Sequence, residues 1–252
     1  MSTKEKPIES QPPEHPAIRS IPPALRERLA PYVSLAQELA GSDLISLAVY
    51  GTSADDAVDA KRSAIGNVMV LRQVDLILLQ KLASHGAKLG KALIRAPLIM
   101  TPEYIESSLD TFPLELIEIH QTRLTVFGED CFAELTFKDA DVRLQCEREL
   151  KTMLIGLRQG LLAAAGRSKA LRAIEAGAAD ALGRTLRGLL WLNGTRDVHA
   201  SAPLLDQVEK MFDRKLDAIA AALSGTGSQG FEGFKRLYED VEALGKVVDG
   251  WS

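Results

Sequence analysis

Leu47-Ala-Val-Tyr-Gly-Thr-Ser53 is an apolar run that stops at a glycine followed by two small hydroxyl residues. A second apolar run, Ser63-Ala-Ile-Gly-Asn-Val-Met-Val-Leu71, follows soon after. Short apolar runs bounded by turn residues predict strands. The unit therefore reads as a strand over 44–50, a tight Gly51-Thr52-Ser53 turn, a short helix or turn over 54–61, and a second strand over 64–71.

Working outward, helical spacing begins near Ala24 with Leu25, Leu29, Leu35 and Leu39, and Gly41-Ser42-Asp43 supplies a stop. Pro31 is expected to interrupt or kink that segment. After the second strand, 74–93 reads as a helix, 98–100 as a short strand, and 102–109 as a helix with Thr101 as N-cap and Pro102 at N1. The run 114–119, Leu-Glu-Leu-Ile-Glu-Ile, alternates imperfectly and is read as a strand. Segments 123–127 and 132–137 are read as short edge strands around the Gly128-Glu-Asp130 turn. From Asp139 onward almost every segment has helical periodicity, with breaks at 166–168, 193–194 and the Gly/Ser-rich 224–230. The expected organisation is a disordered tail over 1–23, rich in Pro, Glu, Ser and Lys, then an α/β (α+β) domain with a small mixed sheet over 24–138. An all-α helical bundle over 139–252 follows.

Composition narrows the classes. The 252 residues are 46% hydrophobic and 25% charged, ordinary for a globular chain. A net charge of −4 implies no broad nucleic-acid surface. No stretch reaches the roughly 18 apolar residues of a membrane span, and MSTKEKPIES carries no apolar signal region. The chain is thus expected to be soluble and cytoplasmic, with no membrane partner. Cys131 and Cys146 are too far apart for a CxxC motif and read as reduced cysteines. The histidines His15, His85, His120 and His199 show no metal-ligand spacing, with His120 expected at a strand end. Gly86-Ala-Lys-Leu-Gly-Lys91 has the wrong spacing for a P-loop.

The strand, Gly51-Thr52 turn and following strand resemble the nucleotidyltransferase superfamily that includes kanamycin nucleotidyltransferase and the minimal nucleotidyltransferases. That resemblance covers roughly residues 35–137 by motif. The family pattern is an apolar strand, Gly-Ser or Gly-Gly, about 9–13 residues, then two acids one residue apart on the next strand, a later third acid, and often a helical domain. Strand alternation points both acids one way, where they hold Mg²⁺ beside nucleotide phosphates. Here the matching places are Ala64 and Gly66, which cannot ligate a cation through a side chain. Asn67 faces the other way.

The resemblance therefore implies a nucleotidyltransferase-like protein that is catalytically degenerate. Gly51, Thr52 and Ser53, whose backbone N–H groups precede a helix, are the candidate phosphate- or ligand-binding residues. The ligand would be a nucleotide or another anionic small molecule in a regulatory role, and no cofactor is expected. One alternative is an active enzyme in which Asp55, Asp59 or Glu118 builds an unusual Mg²⁺ site. Asp55 and Asp59 share a helix face, whereas Glu115 and Glu118 face opposite sides of a strand. The other alternative is a non-catalytic module that binds a protein partner through the helical bundle.

Overall fold

The computed structural model describes residues 23–51, 64–196, 204–227 and 230–251. The expected tail, the short helix at 54–61 and the residues Thr52, Ser53, Asp55 and Asp59 lie outside them. The chain divides into two compact units, one of residues 1–102 with 123–131, the other of residues 103–122 with 132–252. Residues 103–122 and 132–138, read above with the α/β segment, group with the helices.

The first unit is built on a mixed four-stranded sheet of order β3-β2-β1-β4, formed by β1 (Leu44–Tyr50), β2 (Gly66–Leu71), β3 (Leu98–Met100) and β4 (Leu124–Gly128). β1 runs antiparallel to both β2 and β4, while β2 and β3 are parallel. β2 is buried at every position, its apolar run Val68–Leu71 and the polar Asn67 alike. Helix α1 (Pro23–Ala40) lays Leu25, Leu29, Tyr32, Val33 and Ala36 against Leu47, Val49, Ile65, Met69 and Leu71 of the sheet. It runs through Pro31 without a break and ends at Gly41, whose φ of +53° is the left-handed conformation that stops a helix.

The single helix expected over 74–93 is two: α2 (Leu76–Ala83) and α3 (Gly86–Lys91). Asp75 caps the first by accepting the Ile77 N–H at 2.8 Å. At its end, Ser84 Oγ donates to the Lys81 carbonyl at 2.6 Å, and Gly86 opens the second. The strand at 98–100 is present. Helix α4 covers Pro102–Ser107, two residues short of the expected end.

The second unit contains α4, α5 (Pro113–Thr122), α6 (Asp139–Ala164), α7 (Ser168–Leu192), α8 (Leu204–Phe212), α9 (Asp217–Leu223) and α10 (Gly230–Asp249). Its core joins Leu114, Ile117, Cys146, Leu150, Leu186, Leu190, Phe234 and Val241. The breaks at 166–168 and 193–194 fall between helices as expected. The i,i+4 pairs Arg143–Glu147 and Glu147–Lys151 form on α6 at 3.1 and 2.5 Å. Among the described residues no helix is long and apolar enough to cross a membrane.

Two strand expectations are corrected. Residues 114–119 are helical, inside α5, and 132–137 are turn and irregular backbone. In α5 Pro113 occupies the first position, where its missing N–H costs nothing, and Leu114 and Ile117 fall one helical turn apart on the core. Burial on nearly all sides of α5, with Leu116 and Ile119 also inside, gives the sequence its near-alternating look.

Candidate functional site

β1 and β2 pair in register through Val49↔Asn67 and Tyr50↔Gly66, so the end of one strand lies beside the start of the next. Just past Tyr50, Gly51 adopts φ +84°, a conformation a side chain resists. A Cβ at Gly51 would meet nothing within 4 Å. Its glycine therefore answers to backbone shape and not to crowding.

Gly66 is the opposite case. A Cβ there would lie 3.1 Å from the Tyr50 carbonyl oxygen and 3.5 Å from two carbons of the Tyr50 ring. The tyrosine thus covers the strand position at which the resemblance calls for an acid. Ala64, the other such position, precedes the Ile65–Ile94 bridge that extends the β2 edge.

Asn67 is spent on structure. Its side chain is buried, its Oδ1 accepts the Tyr32 hydroxyl at 2.6 Å, and its Nδ2 donates to the Arg95 carbonyl at 2.9 Å. Burial pushes the Tyr32 hydroxyl above the ordinary tyrosine range, so it stays protonated and donating. Arg28 braces the same segment, its Nε donating to the Ala92 carbonyl at 2.8 Å and its Nη2 to the Leu93 carbonyl at 3.0 Å. Together these bonds tie α1, β2 and residues 92–95 into one frame. The sequence offered Tyr50, Tyr32 and Arg28 no distinguishing signal, because their roles depend on strand register and helix packing.

Glu118 stands on α5, in the helical unit, whereas Gly51 belongs to the sheet unit. On a helix Glu115 and Glu118 share a face at i,i+3, which corrects the opposite-sides expectation drawn from a strand. Glu115 accepts a hydrogen bond from Gln145 Nε2 at 2.8 Å and pairs with Arg184 at 3.5 Å. Burial raises the Glu118 carboxyl above its ordinary value; Arg187 and Arg184 oppose the rise, and Asp180 and Glu115 add to it.

His120 is likewise on α5 and not at a strand end. Its Nδ1 lies 2.7 Å from the Phe132 carbonyl, which can only accept, so this nitrogen carries the proton. The ring stands edge-on to Phe137 and Trp191. Trp191 is a buried core residue, with the Arg196 guanidinium 4.2 Å from its ring centroid. Arg158 donates through Nε to the Tyr238 hydroxyl at 2.8 Å.

Both cysteines are free thiols, Cys146 buried and pushed up to about 12 by that burial. Among the described residues no group of three His, Cys, Asp or Glu side chains is arranged to hold a metal ion. No family model matches this chain, and no curated protein matches it either.

Proposed function

We propose that the chain is a nucleotidyltransferase-like protein whose metal-dependent transfer chemistry has been lost, and that it binds a nucleotide or a similar anion at the Gly51 turn as a regulator. The observation that carries this reading is the pair Tyr50 and Gly66. A Cβ at position 66 would stand 3.1 Å from the Tyr50 carbonyl oxygen, a tight approach, and 3.5 Å from the Tyr50 ring, in ordinary contact, so the tyrosine packs over the place where the resemblance calls for an acid. With Ala64 as the neighbouring candidate position, the second strand offers no side-chain oxygen at either place for Mg²⁺, which needs several oxygen ligands.

What remains is backbone chemistry. A glycine in a left-handed conformation at a strand end lets successive N–H groups converge on an anion, which needs no metal and no cationic side chain. The frame of Tyr32, Asn67 and Arg28 holds the neighbouring strand in place.

The test compares binding of a fluorescent ATP analogue to the wild type and to Gly51→Val, with circular dichroism to establish that both are folded. Because a β-branched residue resists φ +84°, the expected result is about a tenfold weaker dissociation constant for the variant. Equal binding by a folded Gly51→Val would overturn the assignment of the site. Nucleotidyl transfer by the wild type would overturn the loss of chemistry and direct attention to Asp55, Asp59 and Glu118.

A further inference from the structure

At the Gly51 end of the sheet, the row that begins with the Tyr50↔Gly66 pair continues one strand further. Residues 93–95 run parallel to the start of β2. The Ile65 N–H donates to the Leu93 carbonyl at 2.7 Å, the Arg95 N–H donates to the Ile65 carbonyl at 3.0 Å, and Ile65 and Ile94 form a bridge. Ile65 and Ile94 are buried in one core with α1. Side chains alternate along extended backbone, so Gly66 and Arg95 turn to the other face, the one on which the Tyr50 ring lies.

The Tyr50 carbons in contact range of a Cβ at Gly66 are Cε2 and Cζ, the far end of the ring. The ring therefore leans from β1 across β2, with its hydroxyl end on the Arg95 side. Strands about 4.8 Å apart place Tyr50, Gly66 and Arg95 within about 10 Å. Tyr50 and Gly51 are half-buried, and Arg95 is exposed. The Gly51 backbone N–H, the Tyr50 hydroxyl and the Arg95 guanidinium are all donors, and the last carries a positive charge. Among the described residues of this end, 50–51, 64–67 and 93–95, the one other polar side chain is Asn67. It is engaged by Tyr32 and by the Arg95 carbonyl. An adenine edge presents a donor as well as an acceptor, and an arginine has no acceptor to meet it. A phosphate takes donors alone, and the guanidinium fork fits two of its oxygens.

Building on the anion-binding reading of the Gly51 turn, we infer that Arg95, with the Tyr50 hydroxyl, is the specificity-determining contact of that site, and that the site reads a polyphosphate chain and not the base attached to it. Inorganic tripolyphosphate is then as good a ligand as ATP, and adenosine is not a ligand. All the groups involved belong to the sheet unit.

The experiment is competition for a fluorescent ATP analogue on the full chain, read by anisotropy in EDTA at fixed ionic strength. The competitors are ATP, inorganic tripolyphosphate and adenosine. The wild type is expected to bind ATP and tripolyphosphate within about threefold of one another, with no competition by adenosine. Arg95→Gln changes an exposed side chain and keeps the backbone groups that Ile65 and Asn67 use. It is expected to weaken both anions about tenfold, and Arg95→Lys, which keeps the charge without the fork, by less. Tyr50→Phe leaves the ring over Gly66 and is expected to cost about fivefold, the worth of one neutral hydrogen bond. Circular dichroism establishes that each variant is folded. Competition by adenosine, ATP bound more than about tenfold tighter than tripolyphosphate, or ATP binding that Gly51→Val weakens and Arg95→Gln does not, would overturn the inference and leave the assignment of the turn standing. Binding that neither variant weakens, or a wild type that binds no ATP analogue, would overturn both.

Discussion

Gly128, at the end of β4, has φ +74°, and a Cβ built on it would overlap the Ile45 carbonyl oxygen and lie 2.9 Å from the carbonyl carbon. Gly51 has a similar φ but open space around it. Backbone strain alone costs about 1–3 kcal/mol for a side chain in such a conformation. Gly51→Ala is therefore expected to lose an amount in that range in urea unfolding. Gly128→Ala is expected to lose distinctly more, because β1 must also move. Equal losses at the two sites would contradict the close approach. The glycines themselves are visible in the sequence as turn punctuation, but which of them touches a neighbouring strand depends on the β1–β4 register. The same holds for Gly66, whose neighbour Tyr50 is sixteen residues away and comes into contact only through pairing.

At the scale of elements, α5, α6 and α7 meet at Gly188. A Cβ there would overlap Leu114 of α5 and lie 2.7 Å from Cys146 Sγ of α6. Alanine favours a helix by about 1 kcal/mol over glycine, yet overpacking a dense core costs about 1–3 kcal/mol. Gly188→Ala is expected to be destabilising in urea unfolding; a gain in stability would mean that the three helices are less tightly packed than described.

α5 also shows where the sequence misled. Alternation of Leu, Glu, Leu, Ile, Glu and Ile is scored as a strand when one face is assumed wet, and a helix buried on most of its circumference produces the same pattern. Pro113, at the first helical position, was the available counter-signal.

Glu118 gives α5 a signature in pH. Its carboxyl is raised in the folded protein, so the native state binds that proton more tightly than the unfolded chain does. The group's contribution to stability is then greatest below the unfolded carboxylate range. It falls as pH rises from there to the raised folded value, and is constant above it. The charged groups around it, Arg187, Arg184, Asp180 and Glu115, set the size of the shift. Subtracting the unfolding free energies of Glu118→Gln from those of the wild type between about pH 4 and pH 7 should give a difference that declines with pH. A difference that grows with pH would mean that the arginines outweigh burial.

For the whole molecule, the helix before β1, the strands β1, β2 and β3, and the helical run after Asp139 were legible from hydrophobic period and turn residues. The four-stranded order β3-β2-β1-β4 and the grouping of α5 with the helical unit were not, because both are settled by contacts distant in sequence. On the site, the absence of acids at Ala64 and Gly66 was readable from the sequence alone, while the tyrosine that covers Gly66 was not. The function proposed for the molecule rests on the left-handed Gly51 at the end of β1 together with a second strand without side-chain metal ligands. The measurement that tests it most directly is calorimetric titration of the full chain with ATP, once in Mg²⁺ and once in EDTA. The account predicts binding of the same affinity in both buffers. Binding that appears only with Mg²⁺, or no heat in either buffer, would contradict it.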